Sequence, residues 1–156
     1  MDKIVGIGEY VISDDPEDIL KTFALSSCIA VTVYDPLIHL AGMIHIALPT
    51  PSSQEEAECR PGYYASSGIP ILIRKMCWTY GTQRENLQVK LFGGAVSVRT
   101  DDYFKIGSKN IKEVKEILLD MNLKILEAHI GGAISRTLTM SVQTGEIEIA
   151  SLPINF

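Results

Sequence analysis

The sequence reads as an α/β protein: mixed, largely antiparallel sheets in a layered sandwich with two main helices, in a single domain spanning residues 1–156. Two β-branched runs in close succession predict an antiparallel pair. Apolar residues at helical spacing predict the two helices. The order, strands first, then helix, strand, helix and more strands, lacks the strict βαβ alternation of a doubly wound parallel sheet.

The first strand lies at 28–34, "CIAVTVY", and ends at the turn signal Asp35-Pro36. The second, 41–48, "AGMIHIAL", closes at Pro49, which cannot donate to a ladder. Residues 50–66 mix Pro, Ser, Gly and acids without apolar period, which predicts an exposed, irregular loop bordering a site. Ile69, Leu72, Ile73, Met76, Cys77 and Tyr80 then form one helical stripe, stopped by Gly81, with Ser66 or Ser67 as cap and Pro70 in the first turn. "LQVKLFGG", 87–94, reads as a strand entering a turn. Asn110 and Glu113 have capping-box spacing before the stripe Ile111, Val114, Leu118 and Met121, so a second helix is expected from about Asn110. A strand follows in "LKILEAHIGG", and 137–151 reads as a hairpin turning at Thr144 and Gly145.

Composition narrows the function. Of the 156 residues, 46% are hydrophobic and 21% charged, ordinary globular usage. A net charge of -5, without a basic run interleaved with aromatics, argues against nucleic acid as a partner. No apolar run reaches membrane-spanning length, and the first residues lack a signal-peptide core, so no direct membrane insertion and a cytoplasmic location are expected. Cys28, Cys59 and Cys77 are irregularly spaced, which suggests reduced thiols rather than disulfides or a zinc site; no metal is expected.

Cys28 follows Ser26 and Ser27, small residues that let a backbone bend and aim its N–H groups at a developing oxyanion. It reads either as core packing or as a nucleophile. Cys77 fits packing and Cys59 an exposed thiol. A catalytic cysteine needs a base. His39 sits in the predicted hairpin connection and His129 near a strand end, whereas His45 interrupts an apolar strand, where an imidazole needs a partner. Pairing 28–34 with 41–48 brings Cys28 and His45 to one end of the hairpin. Thr22 is a candidate to orient the ring from a neighbouring strand segment, or simply a good β-former. "GIGEY" lacks the third glycine of a dinucleotide fingerprint, and the Gly pairs 93–94 and 131–132 mark turns or close backbone approach.

"KTFALSSCIAVTVYDP" followed by "AGMIHIALP" resembles the signature of the chemoreceptor glutamine deamidase family, CheD. "KLFGGA", "IGSKNI" and "GGAISRTLTMSVQTGEI" extend the resemblance over nearly the whole chain, as one CheD-like deamidase domain. The resemblance implies Cys28 as nucleophile, His45 as general base and Thr22 as the group that orients it, with backbone N–H groups near Ser27 and Ser26 as oxyanion donors. Ser26 stands where the family commonly has glycine. The implied enzyme is a cysteine-type protein-glutamine glutaminase that converts glutamines of methyl-accepting chemotaxis receptors to glutamate with ammonia release, through a thioester and without a cofactor. A CheC-type phosphatase is the implied regulatory partner. The competing readings are a receptor- or CheC-binding module with little turnover, and another thiol hydrolase such as a methylesterase.

Overall fold

The structure, a computed structural model, describes residues 1–96 and 105–154. Two sheets and a helical layer stack in three layers. The larger sheet runs β2 (Tyr10–Ser13), β5 (Leu40–Ile46), β4 (Ile29–Asp35), β6 (Gln88–Gly93) and β7 (Ile125–Ile130). The smaller runs β1 (Asp2–Ile4), β3 (Ile19–Leu25), β8 (Ile134–Ser141) and β9 (Ile147–Pro153). Neighbours pair antiparallel except β1 with β3 and β6 with β7, so the mixed, largely antiparallel sandwich expected from the sequence is what forms.

Every residue of β4 and β5 is buried. These strands lie in the middle layer, with apolar neighbours on both faces, and therefore read as near-continuous apolar runs rather than as alternation. On one face Val31, Val33, Ile44 and Ile46 pack against α2 (Ala65–Tyr80) and α3 (Ile106–Asp120) through Leu72, Met76, Val114 and Leu118. On the other, Ala30, Met43 and Phe92 meet Leu20, Leu138 and Met140 of the smaller sheet. Of the stripe that the spacing predicted, Ile69, Leu72, Ile73 and Met76 are buried in α2 while Cys77 and Tyr80 are half-buried against the same core, and Gly81 ends the helix in the left-handed region at φ 80. The 137–151 hairpin also forms, as β8 and β9, with Gly145 left-handed at φ 76 in the connection.

Several local expectations need correction. Residues 50–66 are not irregular: they hold α1 (Gln54–Cys59), where Ser53 Oγ accepts from Glu56 N at 3.2 Å, and a 3-10 turn at Pro61–Tyr63. No residue of α1 is buried, so no apolar period was there to read. The N-cap of α2 is Tyr64; Ser66 and Ser67 lie inside the helix, and Ser67 Oγ donates to Pro61 O at 2.6 Å. Pro70 therefore sits in the second turn rather than the first. The α3 helix starts at Ile106, four residues before Asn110, which is internal and fully buried. The reading placed a strand segment at Thr22 but left β1 and β2, short edge strands of three and four residues, unassigned.

Candidate active site

In the β4–β5 ladder Ile29 faces Ile46 and Ala30 faces His45. Side chains alternate along a strand, so His45 shares its face with Ala30 and with Cys28, two residues earlier. That face looks into the space between the sheets, where Cys28 packs against the cluster containing Ala30 and Phe92. Cys28, one residue before the ladder, is thus a diagonal neighbour of His45, with backbones roughly 7–8 Å apart; no hydrogen bond joins Cys28 Sγ to His45 Nε2. Cys28 is half-buried, not sealed.

Thr22 reaches the same space from β3 in the facing sheet and is fully buried. Its hydroxyl donates to Val5 O at 2.7 Å and lies 2.7 Å from His45 Nδ1. A hydroxyl has one hydrogen. Since Val5 O takes it, Nδ1 must be the donor to Thr22, and the lone pair of the neutral ring is on Nε2. Nε2 is buried and has no hydrogen-bond partner among the described residues.

Burial pushes the His45 imidazole below its usual 6.5, against the opposing pull of the Val5 carbonyl. Burial likewise pushes the Cys28 thiol above 9.0, partly offset by its own backbone amide. Both shifts favour the uncharged forms, thiol and neutral imidazole.

A bulge in β3 sets up Thr22. The β3–β8 register shifts between Thr22 and Leu25, with Phe23 and Ala24 exposed between them. Regular alternation would turn Leu25 outward if Thr22 faced in; the bulge buries both. Its cost is Ala24 in the left-handed region at φ 53, about 1–2 kcal/mol for a residue with a Cβ. Ala24 N donates to Thr137 Oγ1 at 3.0 Å, which holds the bulge. Ser26 is not among the residues with positive φ, so the position where the family commonly has glycine makes no such demand here.

Three consecutive carbonyls ahead of β4 are tied down. Ser26 O accepts from Ala95 N at 2.7 Å and Cys28 O from Gly94 N at 2.9 Å. Ser27 O accepts from Asn110 Nδ2 at 2.9 Å. In a trans peptide the N–H points away from the preceding carbonyl. The N–H groups of Ser27 and Cys28 are thereby turned away from these anchors, and no backbone acceptor takes either among the described residues.

Of the two Gly pairs, read as turns or close approach, 93–94 serves close approach and 131–132 a left-handed turn at φ 76 and 68. A Cβ on Gly93, at φ 109, would meet Cys28 O at 2.2 Å. Gly131 N donates to Gly93 O at 2.9 Å, and Arg136 Nη2 donates to Gly131 O at 3.1 Å. Sequence reasoning missed two residues of this scaffold. Arg136 alternates with Leu138 and Met140 along β8, so a cation at an inward position was visible in the pattern. Asn110 lies four residues before Val114 on the buried stripe of α3, and it was read as a cap.

The other histidines are engaged elsewhere. His39 Nδ1 donates to Gln143 O at 2.7 Å. His129 stacks on Phe92 with centroids 5.4 Å apart. Cys77 packs against the helix-side core and Cys59 is exposed. A cleft of roughly 530 Å³ opens between residues 4–11 and 59–63, lined by Ile7, Tyr10, Arg60 and Tyr63 among others. Its wall is bonded to the backbone of His45: Gly8 N donates to His45 O at 2.8 Å, and His45 N to Glu9 O at 3.1 Å. The 50–66 segment thus borders this corner of the molecule. No helix among the described residues is long and apolar enough to cross a membrane.

Comparison with known proteins points the same way. The chain is 40% identical over 154 residues to a probable chemoreceptor glutamine deamidase CheD of Syntrophotalea carbinolica, covering 96% of this chain and 93% of that protein. It is 36% identical over 151 residues to the probable chemoreceptor glutamine deamidase CheD 1 of Syntrophus aciditrophicus, covering 96% and 94%. The chemoreceptor glutamine deamidase CheD of Thermotoga maritima is 32% identical over 147 residues, covering 94% and 90%. The family described as CheD chemotactic sensory transduction matches residues 47–151. With relatives spanning nearly its full length and the family pattern covering most of it, the chain belongs to the CheD family.

Proposed function

We propose that residues 1–156 act as one cytoplasmic deamidase domain, a cysteine-type amidohydrolase that converts glutamine side chains of methyl-accepting chemotaxis receptors to glutamate. The substrate class rests on the names of the relatives. The mechanism rests above all on one observation: Thr22 spends its only hydrogen on Val5, which leaves His45 Nε2 as a bare acceptor on the face that carries Cys28.

Nε2 takes the thiol proton as Sγ attacks the glutamine Cδ, and the carbonyl π pair moves onto oxygen. The N–H groups of Cys28 and Ser27 stabilise that oxyanion, an effect worth about 3–4 kcal/mol per donor. The tetrahedral adduct collapses as imidazolium Nε2–H protonates the departing nitrogen; the C–N bond breaks and ammonia leaves. Water, deprotonated by Nε2, adds to the thioester, and expulsion of sulfur, which regains its proton, yields glutamate. Atoms and charges balance with water alone, so these steps draw on no metal or organic cofactor. Because burial keeps both groups neutral, proton transfer accompanies attack. A CheC-type phosphatase as regulatory partner belongs to the same reading.

The test incubates the chain with receptor cytoplasmic fragments, following ammonia release and the Gln-to-Glu mass change in receptor peptides. The wild-type chain is expected to convert specific glutamines, and Cys28→Ala to convert none while keeping the wild-type circular dichroism. Full turnover by Cys28→Ala rejects the nucleophile assignment. Receptor binding without turnover by the wild-type chain rejects the enzyme in favour of a binding module.

A further inference from the structure

We propose that Asn110 is a positioning residue for this reaction: its side-chain amide fixes the Ser27–Cys28 peptide and locks the chain entering β4 to the chain leaving β5. The inference rests on Cys28 being the nucleophile.

Asn110 is fully buried on the face of α3 that also carries Val114 and Leu118. Asparagine is a poorer helix former than the leucine that would continue this stripe, and burying an amide costs free energy unless it is bonded. Its two N–H groups are both used, on Ser27 O at 2.9 Å and on Ala47 O at 3.0 Å. Its Oδ1 is buried with no partner among the described residues. A side chain kept at a buried site for its donors, with its acceptor orphaned, is an inefficient way to dock a helix. What the two donors accomplish lies at the other end of the bonds.

The β4–β5 ladder pairs up to Ile29 and Ile46 and no further. Just beyond it, the carbonyls of Ser27 and Ala47 converge on one point, an arrangement that repels unless a donor sits between them. Asn supplies two hydrogens on one nitrogen without adding a charge; Asp at this place would add a third acceptor. The bridge spans the strand ends that carry Cys28 and His45, one residue from the first and two from the second. With Ser27 O held inward, peptide planarity directs the Cys28 N–H outward, where it serves the oxyanion. The same amide is the group that favours the Cys28 thiolate. Asn110 therefore acts through the peptide and touches no reacting atom.

The experiment uses the full chain with Cys59→Ser and Cys77→Ala, so that Cys28 is the sole thiol. Alkylation by iodoacetamide is followed against pH, together with kcat and KM on receptor fragments, for Asn110, Asn110→Ala and Asn110→Leu. With the peptide released, the alkylation midpoint is expected to move to higher pH and kcat to fall about 100-fold, with KM little changed. Asn110→Leu keeps the shape, loses both N–H donors and adds no charge, so it reads out the same effect if Asn110→Ala does not fold. A folded variant with the wild-type alkylation profile and wild-type kcat overturns the proposal. Alkylation needs no substrate, so a wild-type chain without deamidase activity overturns the proposed function separately from this inference.

Discussion

The one hydrogen on the Thr22 hydroxyl fixes which nitrogen of His45 is left as a bare acceptor. Thr22→Val removes the acceptor for Nδ1–H and frees the ring to take the other tautomer, so kcat is expected to drop by roughly 10²–10⁴, the worth of a placed general base. Thr22→Ser keeps the hydroxyl and should retain most of the rate; equal losses in the two variants would mean that Thr22 acts by packing alone. The neutral resting pair fixes the pH profile. With His45 held below 6.5 and Cys28 above 9.0, kcat/KM should rise on an acid limb centred below 6.5 and stay flat toward 9.0. An acid limb centred above 6.5 would mean that the ring is charged at rest. At this scale the sequence singled out His45, because a polar residue in an apolar strand demands a partner, and drew Cys28 out by the small residues before it, whereas the orienting role of Thr22 came with the family resemblance. It hid Asn110, whose importance lies in carbonyls 83 and 63 residues away along the chain, whereas Arg136 stood visible as a cation at an inward position of an alternating strand and was passed over.

Elements meet the site through backbone approach as much as through side chains. The first turn of α3 lies flat on the Gly93–Ala95 turn: a Cβ on Gly107 would sit 2.1 Å from Ala95 O and 2.7 Å from Gly94 O. Backbone cannot yield as a flexible side chain does. Gly107→Ala is therefore expected to destabilise by about 1–3 kcal/mol, the range for overpacking, and to lower kcat because the same turn holds the Ser26 and Cys28 carbonyls. Thermal melts and steady-state kinetics check both; wild-type values in both would show that α3 does not brace the turn. The long elements were legible because their buried faces repeat with the helix or strand period. Element starts were not: Asn110 and Glu113 match a capping box by spacing, yet burial of Asn110 makes it part of the stripe. The exposed α1 and the three- and four-residue edge strands carry too little apolar pattern to announce themselves.

Across the whole molecule, three layers put the central strands β4 and β5 out of reach of water on both sides, and this makes stability depend on pH through the site. His45 binds its proton less readily folded than unfolded, so its contribution is complete above 6.5 and is lost as pH falls below that value. Cys28 keeps its proton longer when folded, so its contribution is lost as pH rises past 9.0. Melting temperature should be level between these limits, and His45→Gln should flatten the acid side; an unchanged acid slope in that variant would place the effect elsewhere. The layering was predictable from the order of elements, whereas the stacking of the sheets that brings Thr22 of one onto His45 of the other is a long-range outcome that no local pattern encodes. That junction is tested most directly by nitrogen NMR of His45 in the full chain near neutral pH. The account predicts a neutral ring protonated on Nδ1 with an unprotonated Nε2; a ring protonated on Nε2 would contradict it.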